Sequence, residues 1–360
     1  MILNEMLRIL VENDGADLFL SPGCPPMMRA QNRVQPISDF PLEPADTEDY
    51  AYSLMDAEQR AAFANTREMN LAFNVPALGR FRTSIFRQRG TVGLVIRLVK
   101  FEIPSFEELS LPPILAELIM RPRGLILVTG ATGSGKSTTL ASMIDYRNRN
   151  KEGHVITLED PIEFLHTHKK SIVNQREIGL DTESYEVGMK NVLRQSPDVI
   201  LVGEIRDTPT MEAVMSYAET GHLVLSTLHS INANQTMERI MQFFPKNMES
   251  RVYAQISMVL VSIISQRLLP TVDKTRLVPA VEILLTSARV RELVTKGNIS
   301  ELKSVMESSQ QDGMQTFDQC LLRQFQEKII SKEEAMRAAD SPGDLHLRMQ
   351  GLTPGTIRLG

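Results

Sequence analysis

The chain has 360 residues, of which 42% are hydrophobic and 23% are charged, and its formal net charge at pH 7 is -5. This balance is typical of a soluble protein with a sizeable core, and it argues against bulk binding to nucleic acid. The two cysteines, Cys24 and Cys320, are far apart in sequence and form no metal-ligand motif or disulfide framework, which favours a reducing compartment.

The first hundred residues predict a mixed α and β domain. The opening stretch "MILNEMLRILVENDG" has the pattern of an amphipathic helix and lacks the apolar run and cleavage site of a signal peptide. Strands are predicted at "DLFLSP", "LAFNVP" and "GRFRTSIF", with a helix at "TEDYAYSLMDAEQRAAFAN" between the first two. The segment "FEIPSFEELSLPP" (residues 101–113) contains three prolines and no strand pattern, so it is predicted to be a linker.

Residues 79–99 carry five arginines and no acid. If Arg89 and Gly90 form a two-residue hairpin turn, Arg82 lies directly opposite Arg97. Like charges at directly opposed positions destabilise a strand pair, so the two guanidinium groups favour an anion between them. One interpretation is an arginine pair that reaches the γ-phosphate of a nucleotide held by a neighbouring subunit. The other is a solvated basic strand face.

From residue 114 the pattern changes. Four apolar runs end in glycine, acid or histidine: "GLILVTG" (124–130), "HVITLED" (154–160), "DVILVGE" (198–204) and "HLVLSTLH" (222–229). Helical stretches such as "TTLASMIDYRNRN" lie between them, which predicts a parallel sheet that binds its ligand at the carboxyl ends of the strands. From about residue 271 onward the pattern is mostly helical.

Nothing in the sequence predicts a membrane-spanning segment. The apolar run "ISMVLVSIIS" (256–265) is too short to cross a bilayer. We therefore expect a cytoplasmic protein without direct membrane insertion.

The stretch "GATGSGKSTT" (130–139) follows one of the buried strands and precedes a helix. Its spacing is that of the phosphate-binding loop G-x-x-x-x-G-K-[ST], in the strand–loop–helix context that this motif requires. Backbone N–H groups and the helix N-terminus favour phosphate, Lys136 is expected to reach the β- and γ-phosphates, and the Ser137 hydroxyl to ligate Mg²⁺. The residues expected to contact the nucleotide are Gly130, Thr132, Gly133, Ser134, Gly135, Lys136, Ser137 and Thr138.

Acidic residues follow two of the other predicted strands. Glu204 ends "DVILVGE", a suitable position for holding Mg²⁺ directly or through water. In "HVITLEDPIEF", we interpret Glu163 as a general base that polarises the attacking water. Asp160 could instead cap a helix that begins just past the strand.

His222 and His229 flank the fourth predicted strand. Their separation points the two side chains to opposite faces and no third ligand is evident, so a zinc site is not favoured. His229, at the carboxyl end of the strand, is suited to sense the γ-phosphate. For His222, at the start of the strand, a catalytic role and a structural role are both open.

These motifs together resemble one family. "GATGSGKSTTLASMI", "ITLEDPIEF", "QSPDVILVGEIRD" and "AETGHLVLSTLH" are similar to the Walker A, Asp, Walker B and His boxes of the secretion ATPase superfamily of type II and type IV systems. The likeness covers nearly the whole chain and is strongest to the retraction motors of type IV pili, the PilT/PilU family. "TLHSINANQTMERIMQFFP" is more similar to the accessory motors of the PilU type, and "ARVRELVTKG" (288–297) departs from the primary motors of the PilT type.

The resemblance implies an α/β fold class, with an N-terminal PAS-like α+β domain (1–100) and a RecA-like P-loop ATPase domain (114–360) whose C-terminal region (about 271–345) is helical. It implies a homo-hexamer that hydrolyses ATP with Mg²⁺ at the inner-membrane base of the pilus. The implied partners are an inner-membrane platform protein and a PilT-like paralogous ATPase, without nucleic acid. The implied catalytic residues are Glu163, Glu204, Arg82, Arg97, His222 and His229.

Three functions compete for this sequence. An ATP-driven motor for pilus retraction, as an accessory or a primary motor, is favoured. A RecA-like nucleic-acid motor would need a basic pore stripe with stacking aromatic residues, whereas aromatic residues make up 5% of the chain and tryptophan is absent. A regulatory nucleotide-binding subunit with little turnover is disfavoured by the intact Glu163, Glu204 and arginines.

Overall fold

The computed structural model describes residues 2–30, 33–99 and 101–352. The chain divides into two compact units. The first comprises Met1–Glu102 together with Glu163–Leu165, and the second comprises Ile103–Ile162 and His166–Gly360. Each unit has its own hydrophobic core.

The first unit is an α+β domain with one antiparallel sheet. Its helices are α1 (Leu3–Glu12), α2 (Pro44–Leu54) and α3 (Ala57–Thr66). Its described strands are β1 (Asp17–Leu20), β2 (Met27–Ala30), β3 (Arg33–Pro36), β4 (Glu68–Val75), β5 (Gly79–Gln88) and β6 (Thr91–Val99). The spatial order is β3-β2-β1-β6-β5-β4, and all neighbouring strands are antiparallel.

One face of this sheet packs against the helices. On β5, Phe81 and Ile85 are fully buried and belong to the same hydrophobic cluster as residues of α1 and α3. Because side chains alternate along a strand, Arg82 points to the other face. Arg89 and Gly90 connect β5 to β6 with φ of 47° and 80°, the left-handed pair that a two-residue type I′ turn requires.

The second unit is built on a seven-stranded sheet. Its described strands are β7 (Gly124–Thr129), β8 (Gly153–Glu159), β9 (Ser171–Glu177), β10 (Val199–Val202), β11 (Leu223–Leu228), β12 (Leu260–Pro270) and β13 (Leu277–Leu285). The spatial order is β13-β12-β7-β11-β10-β8-β9, and every pair is parallel except β12 with β13. Every residue of β7, β10 and β11 is buried.

Helices cover both faces of the parallel sheet, which is why its central strands are apolar throughout. The described helices of this unit are α4 (Ile114–Ile119), α5 (Lys136–Asn150), α6 (Tyr185–Val192), α7 (Thr208–Glu219), α8 (Ala233–Gln242), α9 (Glu249–Val259), α10 (Ala288–Lys296), α11 (Leu302–Ser308), α12 (Phe317–Gln326), α13 (Lys332–Ala338) and α14 (Pro342–Met349). Helices α4 and α5 pack on one face and α6 to α11 on the other, while α12 to α14 pack beside β12 and β13. No described helix has the length and apolar composition needed to cross a membrane.

The predicted fold class is confirmed, and one prediction of local structure is wrong. The single helix predicted around residue 55 is two helices, because Asp56 is extended and its side chain caps α3 by accepting from the Gln59 N–H. The region predicted to be mostly helical from about residue 271 contains five helices, α10 to α14, but begins with the strand β13, the antiparallel partner of β12. A mostly buried strand has no alternating pattern, so periodicity alone did not distinguish it from a helix.

Residues 101–113 contain neither helix nor strand. Phe106 and Leu111 are nevertheless buried, in the cluster that α4 and α5 form with the sheet. This part of the segment therefore belongs to the core of the second unit.

Glu282 on β13 gives the second unit a pH-dependent stability. It is 1% exposed, and burial raises the pKa of its carboxyl from 4.5 to about 7. The folded chain thus binds this proton more tightly than the unfolded chain, and the resulting stabilisation is lost as the pH rises from about 4.5 through about 7. We expect the free energy of unfolding of the wild type, relative to Glu282→Gln, to fall over this range by about 3 kcal/mol at most. Denaturant unfolding of both chains at these pH values measures the difference between their free energies of unfolding. A difference that does not change with pH would contradict the expectation.

Candidate active site

The loop between β7 and α5 depends on glycine at two positions. Gly130 has φ of 148°, and a Cβ there would lie 2.4 Å from Ser134 Oγ and 2.6 Å from the carbonyl oxygen of Gln266. Gly135, directly before α5, has φ of 91°, a conformation that side chains with a Cβ rarely adopt. The loop backbone therefore lies close against its surroundings at the N-terminus of a 15-residue helix, where anions are stabilised.

Lys136, the first residue of α5, turns back over this loop. Its ammonium donates to the carbonyl oxygens of Gly130 (2.9 Å) and Ala131 (3.0 Å). Burial lowers the pKa of Lys136, and the charge of Glu204 partly opposes that shift. Ser134 Oγ is buried and has no hydrogen-bond partner among the described residues. The buried ammonium of Lys136 and the buried hydroxyl of Ser134, which has no partner among the described residues, both fit the oxygens of a phosphate.

The other loop residues expected to contact nucleotide lie on its open side. Thr132, Gly133 and Ser137 are exposed, and Thr138 is half-buried. Hydroxyl oxygens are ligands that Mg²⁺ takes beside phosphate oxygens, so the position of Ser137 fits the role predicted for it.

Glu204 is the centre of a charged cluster at the carboxyl edge of the sheet. It lies two residues beyond β10, and its side chain is 19% exposed. Its Oε2 accepts from Arg206 Nε at 2.8 Å, and its Oε1 lies 3.0 Å from His229 Nε2. Because His229 directly follows β11, this contact joins the ends of two neighbouring strands.

Arg206 is a charged residue of this cluster that the sequence analysis did not assign. Besides its bond to Glu204, its Nη1 lies 3.4 Å from Asp160 Oδ2, just beyond β8. The pKa of Arg206 is raised, chiefly by the hydrogen bond to Glu204. No helix begins within residues 161–170, so capping does not account for Asp160. The signal in the sequence was the position of Arg206 in "GEIRD", two residues after the Walker B acid.

His222 lies at the opposite edge of the same sheet. Its Nδ1 is 3.2 Å from the carbonyl oxygen of Tyr217 and from Thr220 Oγ1, and its own carbonyl accepts from the Gly124 N–H at 3.0 Å. Since β7 and β11 run parallel, the length of a strand, about 20 Å, separates His222 from the phosphate-binding loop of its own chain. The structure places His229 at the edge of the sheet that holds the loop and His222 at the opposite edge. Because His222 does not contact the site of its own chain, its catalytic role stays a prediction.

Glu163 lies on the loop that follows β8, four residues past the strand, and is exposed. It groups with the first compact unit rather than with the sheet that precedes it in the chain. Its charge contributes to raising the pKa of Arg97, after the larger effect of a hydrogen bond from Arg97 to Asp17. The role of Glu163 as a general base stays a prediction.

Arg82 and Arg97 face each other across β5 and β6, which confirms the hairpin register predicted from the sequence. Asp17, which the sequence analysis did not identify, accepts from Arg97 Nε at 2.7 Å and lies 3.8 Å from Arg29 Nε. In register, Arg29, Asp17, Arg97 and Arg82 form one row across β2, β1, β6 and β5. Asp17 is buried while the Arg97 side chain stays 61% exposed, so Arg97 is anchored at its Nε and open to solvent beyond it.

A glycine-rich phosphate loop between a buried strand and a helix, with an acid at the end of a nearby parallel strand, defines the P-loop ATPases of the RecA-like class. Residues 69–337 match the family model described as "Type II/IV secretion system protein". The chain belongs to this superfamily of ATPases, and within it to the PilT/PilU family of type IV pilus retraction ATPases.

Several similar proteins extend over nearly the whole chain. "Type IV pilus ATPase PilU" of Pseudomonas aeruginosa is 46% identical over 350 residues, which cover 97% of this chain and 92% of that protein. "Type IV pilus retractation ATPase PilT" of the same organism is 39% identical over 342 residues, which cover 95% and 99%. A solved structure of the pilus retraction motor PilT with bound ADP has a TM-score of 0.90 and 42% identity, and covers 96% of this chain and 99% of that one. Membership of this family supports nucleotide binding by the chain.

The two histidines allow a matched comparison. We expect His229→Ala to lower kcat for ATP hydrolysis by about tenfold or more, because it removes the side chain that contacts Glu204. His222→Ala removes the same side chain at the opposite edge, so we expect it to change the affinity for a fluorescent ADP analogue by less than about twofold. Steady-state ATPase assays and nucleotide titrations of both variants measure these effects. An unchanged kcat in His229→Ala, or a loss of affinity well beyond twofold in His222→Ala, would contradict these expectations.

Proposed function

We propose that the chain is a Mg²⁺-dependent ATPase motor that powers or assists the retraction of type IV pili. The observation that carries this proposal is the convergence of Lys136, Glu204 and His229 at the carboxyl edge of one parallel sheet. The likeness to a type IV pilus ATPase over 97% of the chain supports the cellular task.

Each residue of the site has a role that follows from its chemistry. The loop N–H groups and Lys136 bind the β- and γ-phosphates, and Ser137 and Glu204 hold Mg²⁺, which when bound neutralises phosphate charge. Glu163 accepts the proton of the attacking water. His229, held against Glu204, responds to the presence of the γ-phosphate.

Arg82 and Arg97 act on a nucleotide held by a neighbouring subunit of a homo-hexamer. They point away from the core of their own unit, and Asp17 orients Arg97 while leaving it exposed. Guanidinium groups in this role stabilise charge that develops on the γ-phosphate. We propose an N-terminal domain at 1–100 and an ATPase domain at 114–360, joined by a linker at 101–113 that packs in part on the ATPase domain. Turnover moves the first domain of one subunit against the ATPase domain of the next.

We propose that the chain is an accessory motor of the PilU type. The support is its 46% identity to PilU against 39% to PilT of the same organism. It would work at the cytoplasmic base of the pilus, on an inner-membrane platform protein and beside a PilT-like paralogous ATPase. Deletion of its gene, with and without the paralogue, should weaken retraction under load without abolishing it while the paralogue is present. Complete loss of retraction with the paralogue intact would identify a primary motor instead.

The nucleotide site is tested by removing its lysine. We expect Lys136→Ala to reduce Mg²⁺-dependent ATP turnover by about a hundredfold or more, because the charge on the β- and γ-phosphates is then unpaired. Lys190→Ala, which removes an exposed lysine on α6, is the matched control and should leave turnover unchanged. Phosphate release with and without EDTA measures both. Unchanged hydrolysis in Lys136→Ala would reject the site.

The shared site is tested by mixing subunits. Arg82→Ala and Glu163→Gln chains should each be inactive alone, whereas mixed rings should recover part of the activity, because some interfaces then contain an intact arginine and an intact glutamate. Arg89→Asn removes an arginine in the hairpin turn of the same strand pair, tolerates its left-handed φ, and should keep wild-type turnover. If no mixing ratio restores ATP hydrolysis, catalysis is not shared between subunits in this way.

A further inference from the structure

Glu282 is a buried carboxylate for which the proposed reaction has no use. It lies on β13, and its Oε1 accepts from the Ala233 N–H at 2.7 Å and from the Ser265 hydroxyl at 3.4 Å. The charged groups around it are Asp340, Arg267 and Lys303. A buried carboxylate is costly unless it is hydrogen-bonded, and an apolar side chain of similar size would pack there without that cost.

On one side, Glu282 is connected to the phosphate-binding loop. Thr129 on β7, Ser265 on β12 and Glu282 on β13 occupy one register across three neighbouring strands. The Thr129 hydroxyl donates to Ser265 Oγ at 3.1 Å, and both side chains are fully buried. Thr129 is the residue directly before Gly130, so this row of hydrogen bonds begins at the base of the loop.

On the other side, Glu282 is connected to the segment that carries His229. Ala233 is the first residue of α8, and residues 229–232 join that helix to the end of β11. The segment has a second anchor, since Arg267 Nη2 donates to the carbonyl oxygen of Ile231 at 3.3 Å. Both anchors come from the β12–β13 pair, and the segment begins with the imidazole that contacts Glu204.

We propose that Glu282 is a positioning residue for His229. Its carboxylate ties the start of α8 to the strand that precedes the phosphate-binding loop, and this tie holds His229 against Glu204. The kinetic part of this inference rests on the proposed ATPase function.

The test uses the full-length chain with three substitutions, assayed at about pH 8, above the raised pKa of the Glu282 carboxyl. Glu282→Leu removes the acceptor at similar volume, and Glu282→Gln keeps an oxygen that can accept from the Ala233 N–H. Ala233→Pro removes the donor without changing the strand pair. Proline is well tolerated at the first helical position, and Asn232 before it is extended, with φ of -160° and ψ of 174°.

We expect Glu282→Leu to lower kcat by about tenfold while KM for ATP stays within about twofold, because phosphate binding by the loop is kept. Glu282→Gln should recover kcat to within about threefold of the wild type. In a His229→Ala background, Glu282→Leu should cost less than about twofold, since the side chain that it positions is already absent. Hydrogen–deuterium exchange of the peptide 229–236 should be faster in Glu282→Leu than in the wild type.

Three results would overturn the inference: an equal loss of kcat with and without His229, a Gln variant as impaired as the Leu variant, or wild-type exchange in the 229–236 peptide of a folded Leu variant. If Glu282→Leu does not fold, Ala233→Pro decides, and wild-type kcat in that variant rejects the role. A wild-type chain without ATPase activity would reject the proposed function, and the exchange measurement would still decide whether Glu282 holds the segment.

Discussion

The central strands of the ATPase sheet are buried on both faces, and this constraint leaves their ends as the places where polar side chains can meet solvent and ligand. Because β7, β10 and β11 run parallel, their carboxyl ends lie at one edge. The phosphate-binding loop, Glu204 and His229 therefore converge there, although they are widely separated in the chain. The helix that starts at Lys136 has its N-terminus at the same edge. Its backbone N–H groups and dipole favour a bound anion there without any contribution from side chains.

The charges at this edge form one connected set. Glu204 contacts His229 and Arg206, and its charge also acts on Lys136, whose pKa burial lowers. Arg206 extends the set to Asp160 at the end of β8. Glu204 and Lys136 are the more buried of these groups, so the loss of an opposite charge costs most there, whereas the side chains of Arg206, Asp160 and His229 are about half exposed. This coupling is the physical reason that the ends of three strands can act as one site.

In the first unit, the geometry of the strands likewise decides where the charged side chains lie. The alternation of side chains along β5 places the core on one face and Arg82 on the other. Asp17 then supplies a buried anion to the row that contains Arg97, which offsets the repulsion between arginines in opposed positions. The hairpin register was predictable because a two-residue turn leaves one pairing. Asp17 was not, because its partner Arg97 lies 80 residues away in the chain.

Features built from consecutive residues could be predicted: the phosphate-binding loop, four of the parallel strands and the positions of Glu204 and His229 at strand ends. Each depends on local spacing, hydrophobic period or turn geometry, which the order of residues carries directly. The pairing of Arg206 with Asp160 and the link from Glu282 to α8 depended on which strands become neighbours. That order is set by the packing of helices on both faces of the sheet, a property of the whole domain that no single segment encodes.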